Sequence, residues 1–221
     1  MTATISLLAP DDDRRFASLA RIYAAAIEPS EQKPPELLRR HVGDDRYSFL
    51  VAEMEGEVAG FAAVFVPSNR DFWLLEYLAV DARRRSAGLG AVLFDAAVAR
   101  ARDIAPGTFG LLEVDAADAI VGEGNDIPRR LQFYARKRCR KIEGLRYLLP
   151  LSSRGTPPTM QLLVHGRPDQ SSIVRSTLHD WLVTLYVEVY DKSGDDPRLA
   201  RMTAHLPDTL ELQEIGAAGA G

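Results

Sequence analysis

The stretch from Leu74 to Ala91 constrains this chain most. Leu74-Leu75-Glu76-Tyr77-Leu78-Ala79-Val80 reads as a buried strand. Arg83-Arg84-Arg85-Ser86-Ala87-Gly88-Leu89-Gly90-Ala91 reads as a basic turn of small residues that opens a helix. A helix start of this kind presents unpaired backbone N–H groups to an anion, with the helix dipole behind them. Gly88 and Gly90 let a ligand's phosphates approach the backbone, and the three arginines add positive charge. The residues predict a pyrophosphate-bearing ligand. The plainer alternative is a glycine-softened strand-to-helix turn with no ligand.

Two common phosphate motifs fail here. A Walker loop needs Gly, four residues, then Gly-Lys-Ser/Thr, and the chain has no such run. A dinucleotide fingerprint needs a third glycine where Leu93 stands. What remains is Arg85-x-x-Gly88-x-Gly90 behind a Leu-Ala-Val strand. It resembles the acetyl-CoA signature of the GNAT N-acetyltransferases, Gln/Arg-x-x-Gly-x-Gly/Ala.

Bulk properties narrow the classes. A chain of 221 residues can bury a full core as one domain, or as one domain with an appendage. Its net charge of −4 argues against a general nucleic-acid binder. Cys139 is the only cysteine, which forbids an intrachain disulfide and points to a reducing compartment. The N-terminus lacks the basic start and cleavage site of a signal peptide, and no apolar run approaches the ~18 residues of a membrane span. A cytoplasmic protein with no membrane partner is expected. His41, His165, His179 and His205 show no ligand spacing, so no metal is expected.

The remaining pattern predicts element order. Residues 2–8 read as a strand. Asp11 to Asp13 cap a helix with Phe16, Leu19, Ile22, Tyr23 and Ile27 at helical spacing. A short helix is expected at 36–42, and strands at 47–54 and 58–66 around a Glu-Gly-Glu turn. Further strands are expected at 72–80 and 109–114, with a helix at 87–101 between them. After a loop at 116–126, Pro128 starts a helix to about residue 142, and strands follow at 147–151 and 160–164. This order is that of the GNAT fold, a mixed, mostly antiparallel α/β sheet with flanking helices. The resemblance covers residues 1–165. Residues 166–221 form a C-terminal extension. Within it 171–190 reads as one amphipathic helix that must pack on the core, on a second copy in a homodimer, or at the substrate cleft. Residues 217–221 are expected to be disordered.

The resemblance implies acetyl-CoA as acyl donor and a primary amine, free or on a peptide, as acceptor, with direct attack on the thioester. It implies that Leu78, Ala79 and Val80 offer backbone to the pantetheine arm. The pyrophosphate would lie on the amides from Arg85 through Ser86, Ala87, Gly88, Leu89 and Gly90 to Ala91. Tyr134 stands where family members carry a tyrosine near the sulfur, which implies a general acid; otherwise it is a core aromatic beside Phe133. The family's Phe-Tyr-x-x-x-Gly-Phe is broken here, because Arg138 replaces the glycine and Cys139 the aromatic. The basic run 136–140 either meets the 3′-phosphate of CoA or ends a helix in solvent.

Strict alternation sets Glu76 on one face with Leu78 and Val80, which makes it the first candidate base. The alternatives are an ion pair with a neighbouring arginine, Glu113 or Asp115 on the next strand, or relay through water. Asp115, Asp118, Glu123 and Asp126 would favour a cationic acceptor if they line the cleft. Two other readings stay open. One is a non-catalytic acyl-CoA-binding or protein-interaction module on this fold, and the other an enzyme that takes a longer acyl-CoA.

Overall fold

Glu55 and Gly56 reverse the chain between two apolar strands. Both have positive φ, 55° and 79°, the combination that a type I′ hairpin turn requires. The computed structural model describes residues 3–85, 88–116, 127–151 and 160–216. In it this turn joins β2 (Tyr47–Met54) to β3 (Glu57–Phe65). Contacts divide the chain into two units, Met1–Pro106 and Gly107–Gly221.

The first unit also holds β1 (Thr4–Leu7), α1 (Asp13–Ala26), α2 (Pro35–Val42), β4 (Phe72–Val80) and α3 (Leu89–Ile104). Its strands pair antiparallel in the order β1-β2-β3-β4. Asp12 caps α1, its side chain accepting from the Arg15 N–H at 3.0 Å. Helix α1 buries Leu19, Ile22 and Tyr23. The Tyr23 ring stands 6.4 Å from Phe61 on β3 and 5.0 Å from Tyr77 on β4. Helix α3 packs on β2, β3 and β4 and buries Leu93, Phe94, Ala97 and Ala101.

The β3–β4 register slips once. Tyr77 opposes Ala63 and Leu75 opposes Val64, which leaves Glu76 as an extra residue. Such a bulge breaks the alternation of faces. Glu76 therefore does not share a face with Leu78 and Val80, as strict alternation predicts. Val80 points toward α3, where a Cβ built on Gly90 would stand 3.9 Å from its Cγ2. Glu76 and Tyr77 both lie on the side of α1 and the segment that leads to α2, against Lys33 and Tyr23 respectively.

The second unit runs β5 (Phe109–Asp115), α4 (Ile127–Arg136), β6 (Arg140–Ile142), β7 (Met160–His165), β8 (Ser172–Val174) and α5 (Arg175–Thr184). A π-turn (Leu185–Val189), α6 (Pro197–Thr203) and β9 (Thr209–Glu214) complete it. The strands pair antiparallel in the order β5-β7-β6-β9-β8. Each unit combines three α-helices among the described residues with antiparallel strands, so the expected mixed, mostly antiparallel α/β class is observed.

Several elements differ from the predicted pattern. Residues 171–190 are not one helix: Ser172–Val174 pair with β9, and the helix closes in the π-turn. The predicted apolar stripe is nonetheless buried from Leu178 to Val189, with the Trp181 ring 5.7 Å from that of Phe109 on β5. Residues 197–203 and 209–214 add a helix and a strand where the pattern predicts none. The strand expected at 147–151 reduces to one bridge, Tyr147 to Met160. The loops at 117–126 and 152–158, and residues 217–221, lie outside the described residues.

Helix α4 also stops earlier than predicted, at Arg136 rather than near residue 142. The Cys139 N–H bonds the Tyr134 carbonyl (3.0 Å) and the Arg138 N–H bonds that of Ala135 (2.9 Å). This is a Schellman end, and Arg138 takes its left-handed position with φ 58°. The glycine that the motif lacks in sequence is thus missing where its conformation is still used. Replacing Arg138 with Gly is expected to raise stability by about 1 kcal/mol in urea unfolding. No gain would mean that the arginine side chain offsets its backbone strain.

Candidate active site

Strand β4 runs into Asp81, whose N–H bonds the Ala59 carbonyl at 2.9 Å. The buried Asp81 carboxylate then caps a 3-10 turn, Ala82–Arg84, accepting from the Arg83 N–H at 3.0 Å. The Arg83 guanidinium folds back on the same carboxylate, with its Nη2 at 2.7 Å, and Arg21 Nη1 adds a contact at 3.3 Å. These donors, Arg83 first, hold the Asp81 carboxyl well below the usual range. Arg84 pairs with Glu55 at 2.8 Å. Two of the three arginines that the sequence offers as anion charge are therefore engaged by carboxylates. Arg85 is exposed.

Gly88 is the N-cap of α3 and has φ 74°, a conformation that suits glycine. The α3 first turn carries no acidic residue to occupy its positive end. The nearest atom to a Cβ at Gly90 would be that Val80 methyl at 3.9 Å, an ordinary contact. The fold itself therefore does not require a glycine there. Ser86 and Ala87 lie outside the described residues. Leu78 and Val80 are half-buried in a strand that is otherwise buried, and Ala79 is buried between them. Among the described residues, β4, the 3-10 turn and the Gly88 cap of α3 thus follow one another along the chain.

Glu76 has a partner that strand alternation does not reveal. Lys33 Nζ stands 2.5 Å from its Oε1, and both side chains are 1% exposed. The expected arginine partner is thus a lysine, brought in by the turn before α2. The Lys33 N–H donates to Tyr23 Oη at 2.7 Å, and that hydroxyl bonds Tyr77 Oη at 3.2 Å. The imidazole of His41 stacks on Tyr47, with centroids 4.2 Å apart. Burial, then the Glu76 carboxylate, push the Tyr47 hydroxyl far above its ordinary pKa. Burial and the Lys33 charge push His41 down to about 4, against the pull of Glu76. One buried polar cluster therefore joins α1, the turn before α2, β2 and β4.

In the second unit Tyr134 lies on α4, its ring 5.2 Å from that of Phe133. Burial raises its pKa above the ordinary tyrosine range, so it stays a proton donor through the physiological range. Arg130, one turn earlier, pairs with the buried Asp115 at the end of β5. Cys139 is buried, and burial pushes its thiol up to about 12, so it is no nucleophile at neutral pH. Arg140 of the basic run donates to the carbonyls of Gly166 and Gln170, at 2.8 and 2.6 Å. Among the described residues no group of three His, Cys, Asp or Glu could hold a metal, and no helix is long and apolar enough to cross a membrane.

Comparison with known proteins agrees with this architecture. Residues 15–120 match the profile of the Acetyltransferase (GNAT) family. A protein of Bacteroides thetaiotaomicron assigned to the GNAT acetyltransferases shares the fold at a TM-score of 0.63 and 18% identity, over 85% of this chain and 98% of its own. The ribosomal-protein-S18-alanine N-acetyltransferase of Escherichia coli does so at 0.56 and 19%, over 74% and 93%. A GNAT family acetyltransferase of Elizabethkingia anophelis with acetyl-CoA bound does so at 0.51 and 17%, over 75% and 98%. No curated protein matches the sequence significantly.

The His41 shift carries a pH signature. Unfolded histidine titrates near 6.5, while the folded ring refuses the proton down to about 4. The ring's contribution is complete above pH 6.5 and is lost as pH falls to about 4, a fall of about 3 kcal/mol. Urea unfolding at pH 7 and 4.5 measures it. A His41→Phe variant, which keeps the stacked ring, is expected to show a smaller loss over this interval. An identical loss would assign it to other groups.

Proposed function

We propose, from the premise that residues 15–120 are an acetyltransferase domain of the GNAT family, that this chain transfers the acetyl group of acetyl-CoA to a primary amine by direct attack. The observation that carries this is the turn from Gly88 to Ala91. It joins a left-handed Gly88, an uncontested α3 N-terminus and a Gly90 whose missing side chain serves nothing within the fold. Acetyl-CoA supplies an activated acyl group as a thioester. The first-turn amides of α3 would hold the pyrophosphate and Arg85 its charge. Leu78, Ala79 and Val80 would offer backbone to the pantetheine arm.

In this reading Tyr134 protonates the departing thiolate. The hydroxyl is protonated at neutral pH and so can donate to the departing thiolate. The amine loses its own proton before attack, because an ammonium has no lone pair. We give that step to water rather than to Glu76. A carboxylate buried against Lys33 would have to exchange its lysine for the acceptor before it could take a proton. We read Glu76 instead as an anchor of the turn before α2 on β4, which its ion pair with Lys33 supports.

The Gly90→Ala variant tests the cradle. It is expected to fold at least as stably as the wild type, because alanine favours a helix and meets no close atom. The rise in unfolding temperature with acetyl-CoA should shrink, and ADP serves as a control ligand. An unchanged rise would remove the pyrophosphate from Gly90. In the same assay Tyr134→Phe should keep the rise, while release of CoA thiol to an amine panel falls about a hundredfold.

The role of Glu76 is tested by a pair of variants. Glu76→Gln alone leaves a buried ammonium and is expected to cost about 3–5 kcal/mol. Lys33→Met with Glu76→Gln should recover most of that loss and keep turnover within about tenfold. A folded double variant with turnover lowered about a hundredfold would return the base role to Glu76.

A further inference from the structure

A glycine inside a buried strand weakens it, and often marks a bulge or a close approach of another backbone. Gly60 on β3 marks both. It is buried and its φ is not positive, so conformation does not call for it. Space does. A Cβ built there would stand 2.8 Å from the Ala79 carbonyl oxygen, 3.0 Å from Leu93 Cδ1 and 3.3 Å from Val80 Cα. The first of these is backbone and cannot swing aside as a side chain can. The bulge lies one residue earlier. Gly60 opposes Ala52 and Val58 opposes Glu53, which leaves Ala59 as the extra residue against β2.

The same stretch holds the end of β4. Gly60 opposes Val80, and the Ala59 carbonyl accepts the Asp81 N–H at 2.9 Å, where the chain leaves the strand for the 3-10 turn. Helix α3 comes down on this pair. A Cβ at Gly90 would stand 3.9 Å from Val80 Cγ2. Leu93, three residues on and fully buried, fills the space that a side chain at position 60 would take. Positions three apart share a helix face. The start of α3 is therefore seated on the Gly60–Val80 pair, with one contact on each strand.

We propose that Gly60 is a positioning residue for the acyl donor: the side chain it lacks sets how closely the start of α3 lies over the end of β4. This rests on the acetyl-transfer reading above. There one molecule of acetyl-CoA spans both elements, with its pantetheine arm on Leu78 to Val80 and its pyrophosphate on the first-turn amides of α3. A ligand held at two points binds tightly only when their separation suits the linkage between them. A methyl group at position 60 would push Leu93, and α3 with it, away from β3, or would push Ala79 and β4 the other way. Either shift alters that separation while each half of the site keeps its own groups.

The test measures binding to the full chain by titration calorimetry, well below its unfolding temperature. Gly60→Ala should raise the acetyl-CoA Kd roughly tenfold. ADP carries the pyrophosphate without the arm, and its Kd is read from its competition with acetyl-CoA. It should stay within about threefold of the wild type, because ADP spans nothing. A merely structural role would move both ligands alike. Equal weakening of both therefore overturns the inference. So does an acetyl-CoA Kd within about twofold of the wild type in a folded Gly60→Ala. A wild type that binds acetyl-CoA and not ADP removes the pyrophosphate half of the span and overturns it too. Should Gly60→Ala unfold, Gly60→Ala/Leu93→Val clears the side-chain obstacle and carries the expectation through the Ala79 carbonyl, which still stands in the way. A double variant that also unfolds gives Gly60 to the fold alone and overturns the inference. A wild type that binds no acetyl-CoA overturns the acetyl-transfer reading itself.

Discussion

One inserted residue decides what each side of β4 meets. Without the bulge at Glu76, strand alternation would turn Tyr77 away from α1 and bring Leu78 and Val80 round to it. With it, Tyr77 meets the Tyr23 ring edge to face and Val80 faces α3. Glu76 is left on the side of the α1–α2 segment with no residue opposite it on β3. Bulges persist where something over-determines them. Here the ion pair with Lys33 does so, since a slip of one residue would bury the lysine without its counter-charge.

Such a pair is a poor source of net stability, because removing two charges from water costs about as much as their attraction returns. Its value lies in specificity. Lys33 also donates its N–H to Tyr23, so the same residue fixes the turn before α2 to both α1 and β4. Around it sit a tyrosine and a histidine that burial keeps neutral. The first unit thus holds its helices to the sheet partly through polar groups whose geometry is demanding. A looser apolar interface would tolerate several registers.

Much of this is legible in the chain itself, and the failures have physical causes. Strands β2 and β4 begin and end where the apolar runs do, because Gly, Asp and Pro punctuate them on each side. The Gly88 cap and the α3 start follow from local chemistry alone. The bulge is invisible, since Leu-Leu-Glu-Tyr-Leu alternates as well with an insertion as without one. Lys33 cannot be named from spacing as the partner of Glu76, because α1 and its turn bring the two together. Ile173 and Val174 fit a helical stripe, but their β-branched backbone pairs with a strand that lies more than thirty residues later.

The single cysteine has a consequence of its own. Cys139 closes the Schellman end of α4, buried, with its proton held up to about 12. On the acetyl-transfer reading proposed above, the chain would meet acyl thioesters and free CoA thiol. A thiol that neither ionises nor reaches solvent takes no part in acyl exchange or in disulfide exchange with them. The fold therefore keeps its one sulfhydryl chemically silent toward such partners.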